Sequence, residues 1–409
     1  LNILTYGINF YPELTGIGKY TGEMCFELAK KHQVTMITTS PYYPHWKVQK
    51  GYKNNWWKKE TINEVEVIRC PFYVPKEVTS RNRILHEFSF LLSSMVTFFW
   101  QLFKPVDVVI CVVTPFHLGI PARLFSWLKG VPMVYHIQDL QVDAARDLGM
   151  IKNKKLSSTL EKIEKWILSR TDIITTISSG MIEKVKGKGI DANKVKFFPN
   201  WVDSAVIYPL SKAESLKAEL GFLEMDKIVL YSGNLGEKQG LDQIIEVAAA
   251  VKSEANLKFV IVGEGGTKAK LVAEVKARNL SNIQFFPLQP YEKLSALLAI
   301  ADLHLVLQKK SAADLVMPSK LTSILAVGGC AIVTASEGTA LYEVMVMHNL
   351  GFIIEPEEVD VLKATIQNAI KTNLSEYENN ARQYAEQFLD KKAILNQFEI
   401  ELELLVKQS

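Results

Sequence analysis

Several features that would point to other classes of protein are missing from this chain of 409 residues. Its four cysteines, Cys25, Cys70, Cys111 and Cys330, are scattered, with no CxxC pair and no Cys/His cluster at metal-ligand spacing. Neither a disulfide framework nor a zinc site is expected from that pattern. Charge of one sign is missing too: 47 Lys+Arg stand against 44 Asp+Glu, a formal net charge of +3. That balance argues against sequence-independent nucleic-acid binding, so no nucleic-acid partner is expected. No GK[ST] follows any glycine loop, which excludes a P-loop, and no DxD pair marks a metal-bound diphosphate. The most prominent uncharged run, Phe88 to Phe103, has sixteen residues, short of the roughly 20 that span a bilayer as a helix. The chain opens on the strand-like Leu1 to Tyr6 without a basic, then apolar, leader. Together with the unpaired cysteines this reads as a cytoplasmic protein.

What is present is a repeated alternation. Apolar runs rich in Val and Ile, at Leu1 to Tyr6, Val34 to Thr39, Val65 to Cys70, Val106 to Val113, Met133 to Ile137 and Ile173 to Ile177, are separated by helical patterns. Such runs are strands buried on both faces of a parallel sheet. The pattern restarts at Lys227 to Ser232 and continues through Lys258 to Val262, Ile283 to Phe286, Leu303 to Leu307, Ala331 to Thr334 and Gly351 to Ile354. Two successive α/β domains are predicted, 1–205 and 206–375, joined through Phe197 to Asp203 and followed by a helical segment over 376–409. The run from Phe88 to Phe103, flanked by Arg81, Arg83 and Lys104, reads in two ways: a helix buried beside the first sheet, or an in-plane membrane contact with basic flanks.

Glycine loops sit at strand ends. Tyr11 to Tyr20, containing Gly16 and Gly18, leads from the first strand into a helix beginning near Gly18. By itself this is a weak sign of phosphate binding. A stronger one is Tyr231-Ser-Gly-Asn-Leu-Gly-Glu-Lys-Gln-Gly-Leu241, where glycines and Lys238 lie between a strand and an amphipathic helix. Val262-Gly263-Glu264-Gly265 repeats the strand-to-glycine pattern, and Pro318-Ser319-Lys320 suits a helix start with outward N–H groups.

The order of these loops, with Tyr135-His136-Ile137-Gln138-Asp139, Phe198 to Asp203 and Ala326-Val-Gly-Gly329, resembles the retaining glycosyltransferases of family 4 along nearly the whole chain. Within that family it is most similar to the colanic-acid and capsule-biosynthesis members. The resemblance implies the GT-B fold, two doubly wound Rossmann-like α/β domains facing across a cleft, the first for the acceptor and the second for the donor, with the terminal helical segment packing back on the first. It implies a metal-independent transferase without cofactor. The donor would be a UDP- or GDP-linked sugar, such as a 6-deoxy or N-acetylamino sugar, and the acceptor a glycan or polyprenyl-diphosphate-linked intermediate. Work at the inner face of the cytoplasmic membrane, with peripheral contact to it, is implied as well.

The same resemblance assigns residues. His136, Asp139, Lys238 and Asp314 fall on catalytic positions. Gly16, Gly18, Asn200, Gly233, Asn234, Lys238, Gly263, Leu288, Pro318, Ser319, Lys320 and Ser323 fall on donor-binding ones. The chain departs from the family in three places: Asn234 stands where an arginine is usual, and Leu315 and Ser323 stand where two glutamates are usual, with Asp314 one residue out of register. No carboxylate pair for a double displacement is legible, so a front-face substitution assisted by Lys238 is the expected mechanism. A GT-B epimerase or hydrolase, and a catalytically silent binding protein, stay open on sequence alone.

Overall fold

The computed structural model describes residues 1–13, 16–147, 153–310 and 318–408. They divide into two units: Leu1–Pro199 with Ala393–Ser409, and Asn200–Lys392. The helix Lys391–Gln408 therefore carries most of its length on the first unit, where Phe398 stacks on Phe198 with ring centroids 4.1 Å apart. The helix Ser375–Phe388, read from sequence as part of the same terminal segment, belongs instead to the second unit. Its Ala381 and Ala385 are small enough to bury against the Ser319–Ala326 helix and join that unit's core.

The first unit holds an eight-stranded sheet. Its strands are β1 (Asn2–Tyr6), β2 (Gln33–Thr39), β3 (Lys58–Ile62), β4 (Val65–Cys70), β5 (Val108–Val113), β6 (Met133–Ile137), β7 (Ile173–Thr176) and β8 (Val195–Phe197), in the order β3-β4-β2-β1-β5-β6-β7-β8. All pair in parallel except β3, which runs antiparallel to β4. The strands β5 (VVICVV) and β6 (MVYHI) are buried at every position, as strands covered on both faces must be. Two strands escape the sequence pattern for physical reasons. The edge strand β3, KKETI, is polar, and its turn is made by Asn63 and Glu64, both at positive φ, without the glycine that marks such a turn. The strand β8 has only three residues.

The second unit holds the all-parallel sheet β11-β10-β9-β12-β13-β14, built from β9 (Lys227–Ser232), β10 (Leu257–Val262), β11 (Ile283–Phe286), β12 (Leu303–Val306), β13 (Ala331–Thr334) and β14 (Gly351–Ile354). Alternate residues of each strand serve two cores. Ile228, Leu230, Val260 and Val333 pack on one side, while Val229, Tyr231, Ile261 and Ile332 pack on the other. In both sheets the chain reverses its direction of travel beside the first strand, between β1 and β5 and between β9 and β12. Loops part at such a switch point, leaving a crevice outside the carboxyl ends of the strands.

The Phe88 to Phe103 run lies mostly on the helix Ser80–Gln101, which carries aromatic rings on both its buried and its exposed side. Phe90, Ser94, Thr97, Phe98 and Gln101 are buried against the sheet, Tyr6 donating or accepting a 2.8 Å hydrogen bond with Ser94. The other side leaves Leu92, Met95, Val96, Phe99 and Trp100 exposed. The neighbouring helix Gly119–Lys129 exposes Leu124, Trp127 and Leu128, and Lys129 ties the two helices by donating to the carbonyls of Leu102 and Lys104 at 3.2 and 2.8 Å. No helix among the described residues is long and apolar enough to cross a membrane.

Candidate functional site

Beside the switch point of the second sheet, the loops after the neighbouring strands β9 and β10 touch through their backbones. A Cβ on Gly263 would lie 1.9 Å from the carbonyl oxygen of Gly233, so only glycine admits this approach. The loops are stitched by Gly233 N–H donating to Val262 O and Leu235 N–H donating to Glu264 O, both at 2.9 Å. Tyr231, at the end of β9, donates its hydroxyl to Asn234 O at 2.7 Å and accepts from Lys320 Nζ at 2.6 Å. Lys320 comes from the Ser319–Ala326 helix, which starts directly after Pro318. Its ammonium sits 4.0 Å from the centre of the Tyr231 ring and beside Gly233. Burial pushes its pKa down to about 7.

Most of the sequence-assigned donor residues gather on this edge. Gly233, Asn234, Gly263, Pro318, Ser319, Lys320 and Ser323 belong to the two glycine loops and the helix behind them, and Leu288 is exposed in the segment after β11. Lys238 lies on the single 3-10 turn Glu237–Gln239, exposed, with its carbonyl accepting from Lys309 N–H at 2.8 Å. Asn200 is the first residue of this unit. Asp314 and Leu315 lie outside the described residues.

In the first unit, Gly16 opens the helix Gly16–Ala29, two residues earlier than the sequence suggests, and Gly18 follows in its first turn. Gly18 has no room for a side chain because Glu13 Cβ and Oε2 would meet its Cβ at 2.7 and 2.8 Å. Glu13 is buried and accepts from the Tyr42 and Tyr43 N–H groups at 2.9 Å each and from Asn9 Nδ2 at 2.8 Å; burial raises its pKa. Arg69, also buried, pairs with Glu60 and donates to Thr39 O and Tyr11 O at 2.7 and 2.8 Å. These two residues tie the segment Asn9 to Glu13, which precedes that helix, to the end of β2 and the residues after it. Sequence reasoning missed both, because a lone Glu and a lone Arg in or beside a strand carry no spacing signal.

His136 is the next-to-last residue of β6, and Asp139 follows the strand. The imidazole is buried, 5.0 Å from the Phe198 ring. It has Thr175 Oγ1 at 2.9 Å from Nδ1 and the Gln138 amide nitrogen at 2.7 Å from Nε2. An amide that donates to Nε2 leaves the proton on Nδ1, donated to Thr175. Burial pushes its pKa down to about 3, so it is neutral near pH 7. Among the described residues, the grouping of His32, Glu399 and Glu403 is close enough to hold a cation. It sits at the start of β2, the opposite edge of the sheet from these loops, and Lys31 already pairs with Glu399 at 2.8 Å.

The family model described as Glycosyl transferase 4-like domain matches residues 15–201, and the one described as Glycosyl transferases group 1 matches residues 212–388. The putative colanic acid biosynthesis glycosyl transferase WcaI of Escherichia coli K12 is 44% identical over 405 residues, covering 97% of this chain and 98% of that protein. Among solved structures, sucrose-phosphate synthase from Thermosynechococcus elongatus matches with a TM-score of 0.77 at 15% identity, with 100% of both chains covered. Anabaena HepE in complex with UDP-glucose matches with a TM-score of 0.71 at 14% identity, over 98% of this chain and 99% of that one. Two doubly wound sheets, the two family models in order along the chain and a relative of that identity over nearly its full length establish that the chain belongs to the family-4 glycosyltransferases of the GT-B fold.

Proposed function

We propose that this chain transfers a hexosyl residue, with retention of configuration, from a UDP- or GDP-linked donor to a glycan carried on a polyprenyl diphosphate, in the making of a bacterial capsule, exopolysaccharide or O-antigen. The observation that carries the reading is the meeting of Gly233, Asn234, Gly263 and Lys320 at the second sheet's switch point. Close-packed glycine backbone with a cation beside it is what a nucleoside diphosphate needs. The name of the relative at 44% identity supports the pathway class, and the UDP-glucose in the HepE structure supports the donor class.

In the reaction, the acceptor hydroxyl oxygen bonds to the anomeric carbon on the face that the diphosphate leaves. The bond between that carbon and the diphosphate breaks, its electron pair goes to the departing oxygen, and the acceptor's proton follows to the same oxygen. Lys238, Lys320 and the amides at the start of the Ser319–Ala326 helix stabilise the leaving diphosphate. His136, Asp139 and Asp314 are assigned to positioning the sugar. Lys238→Ala is expected to weaken nucleotide binding by about 1.5–3 kcal/mol, the range for a hydrogen bond to a charged group. Equal affinity in the mutant, measured by titration calorimetry, removes Lys238 from the site.

Thermal unfolding with UDP, GDP, CMP and ADP tests the donor reading, because a ligand that binds only the folded state raises its stability. A rise with UDP or GDP is expected; no rise with any of the four sinks the reading. Turnover is expected to persist in EDTA, since the phosphate charge is met by lysine and backbone amides. Loss of turnover in EDTA with recovery in magnesium or manganese would overturn that expectation.

The lipid-linked acceptor is supported by the exposed side of the Ser80–Gln101 helix. Phe99, Trp100 and Phe103 are 54%, 64% and 73% exposed, Trp127 on the next helix is 67% exposed, and Arg81, Arg83 and Lys104 flank the run in sequence, Arg83 paired with Glu87 at 3.4 Å and Lys104 with Glu66 at 2.8 Å. Apolar rings with a basic rim suit the surface of an anionic membrane. Wild-type protein is expected to float with anionic liposomes, less at high salt, and Phe99→Ser/Trp100→Ser/Trp127→Ser to remain unbound while folded. Phe98 is not a suitable target, because it packs on Tyr6 and Phe125 in the core. No flotation of the wild type at low salt defeats the membrane reading.

A further inference from the structure

Lys320 is held in an unusual way for a lysine. Its only hydrogen-bond partner among the described residues is the Tyr231 hydroxyl, 2.6 Å away, and that hydroxyl is itself committed to Asn234 O. The ammonium lies over the Tyr231 ring and against Gly233, at the mouth of the switch point. No carboxylate among the described residues lies within ion-pairing distance. Among the described residues, the acidic groups on the adjoining loops are directed elsewhere: Glu264 pairs with Lys268 at 2.6 Å, and Glu237 lies 3.9 Å from Lys309. The other charged side chains of these loops among the described residues are those of Lys238, Lys309 and Lys310, and Tyr231 is a phenol whose pKa burial raises. Half-buried against the Tyr231 ring, and with no anion beside it among the described residues, the amine is shifted toward its neutral form.

We propose that Lys320 is a diphosphate-binding cation of the donor site and that it takes up a proton as the diphosphate seats, so that the site is charged by its own ligand. This rests on reading the second unit as the donor unit. The diphosphate supplies an anion that the described residues around Lys320 do not, and the ammonium then donates to a phosphate oxygen while Tyr231 holds the chain end in place. Before the donor arrives, the amine near neutrality is only part protonated, since burial holds its pKa at about 7. With an anion in contact the protonated form is favoured, and binding and protonation are linked. Departure of the nucleotide returns the proton, which lowers the site's hold on the product above neutral pH.

The test is titration calorimetry of the full chain with UDP and with GDP at pH 8, in HEPES, Tricine and Tris, whose different ionisation enthalpies report the protons exchanged. The nucleotide's own phosphates, with a second pKa of about 6, are then already ionised. Wild type is expected to take up close to one proton per nucleotide, and its affinity to fall roughly five- to tenfold for each pH unit between 7 and 9. Lys320→Met is expected to bind at least about tenfold more weakly with no proton uptake and a flat pH profile. Lys320→Arg, always charged, is expected to bind without uptake. Should Lys320→Met fail to fold, Lys320→Arg decides: binding without uptake supports the proposal, and uptake like the wild type overturns it. Uptake unchanged in Lys320→Met overturns the proposal while leaving the donor reading intact. Failure of wild type to bind either nucleotide overturns both.

Discussion

Gly263→Ala is expected to abolish nucleotide binding and to cost several kcal/mol of the second unit's stability. The added Cβ would stand 1.9 Å from Gly233 O, 3.1 Å from Gly233 C and 3.2 Å from Leu235 Cδ2. Two of these are backbone atoms, which cannot rotate away as a side chain can. The loops must separate, and in doing so they stretch the hydrogen bonds Gly233 N–H to Val262 O and Leu235 N–H to Glu264 O. Overpacking costs about 1–3 kcal/mol, and each buried hydrogen bond lost adds about 0.5–1.5 kcal/mol. The same movement carries Gly233 away from Lys320 and misplaces the proposed diphosphate cradle. Gly266→Ala is the control, since its Cβ would meet nothing within 4 Å. Urea unfolding and UDP titration of the two variants check the expectation. Wild-type stability and affinity in Gly263→Ala would mean that the loops do not need their present contact.

Acid is expected to unfold the protein well above the carboxylate range. Burial pushes the pKa of His136 and His304 down to about 3, and that of His86 and His117 down to about 4. In the unfolded chain each titrates near 6.5. Between about pH 6.5 and 4 the unfolded chain therefore binds protons that the native state refuses. The stability these histidines contribute is complete above about pH 6.5 and is lost as pH falls, at up to ~1.4 kcal/mol per histidine per pH unit. Glu13, Glu87 and Glu164 act in the opposite direction. Burial raises their pKa, so they protonate more readily in the native state and favour it as pH falls. Four histidines over two pH units outweigh that, because they begin to titrate earlier. The urea midpoint is expected to drop steeply from pH 7.5 to pH 5, and less so in His304→Asn. A midpoint constant over that range would contradict the buried neutral state of these rings.

The strands that build both sheets were legible because a strand covered on two faces must be apolar throughout, and Val108–Val113 or Met133–Ile137 can hardly be anything else. The polar edge strand Lys58–Ile62 was not, since its partners are charges: Glu60 bound by Arg69, and Glu66 on the next strand 3.3 Å from Lys59. Glycine loops at strand ends marked where the loops after β9 and β10 touch, as backbone approach to another chain segment demands glycine wherever that segment comes from. The roles of individual lysines followed a different rule. Lys238 and Lys320 look alike in sequence, each beside a helix start, yet one projects from an exposed turn and the other is half-buried against Tyr231, 89 positions away in the chain.

The amino-acid sequence by itself determined the two-sheet α/β organisation, the order of the glycine loops and the family, because all three depend on local pattern and on short strings of residues. Only the tertiary structure decided how far each charge is enclosed. Neighbours on other strands and helices bury Glu13 and Arg69 and half-bury Lys320. It also decided that the Ser80–Gln101 helix carries aromatic rings on both sides, Phe98 in the core and Phe99 exposed. Burial and desolvation are sums over contacts made across the fold, and a linear pattern holds no record of those sums.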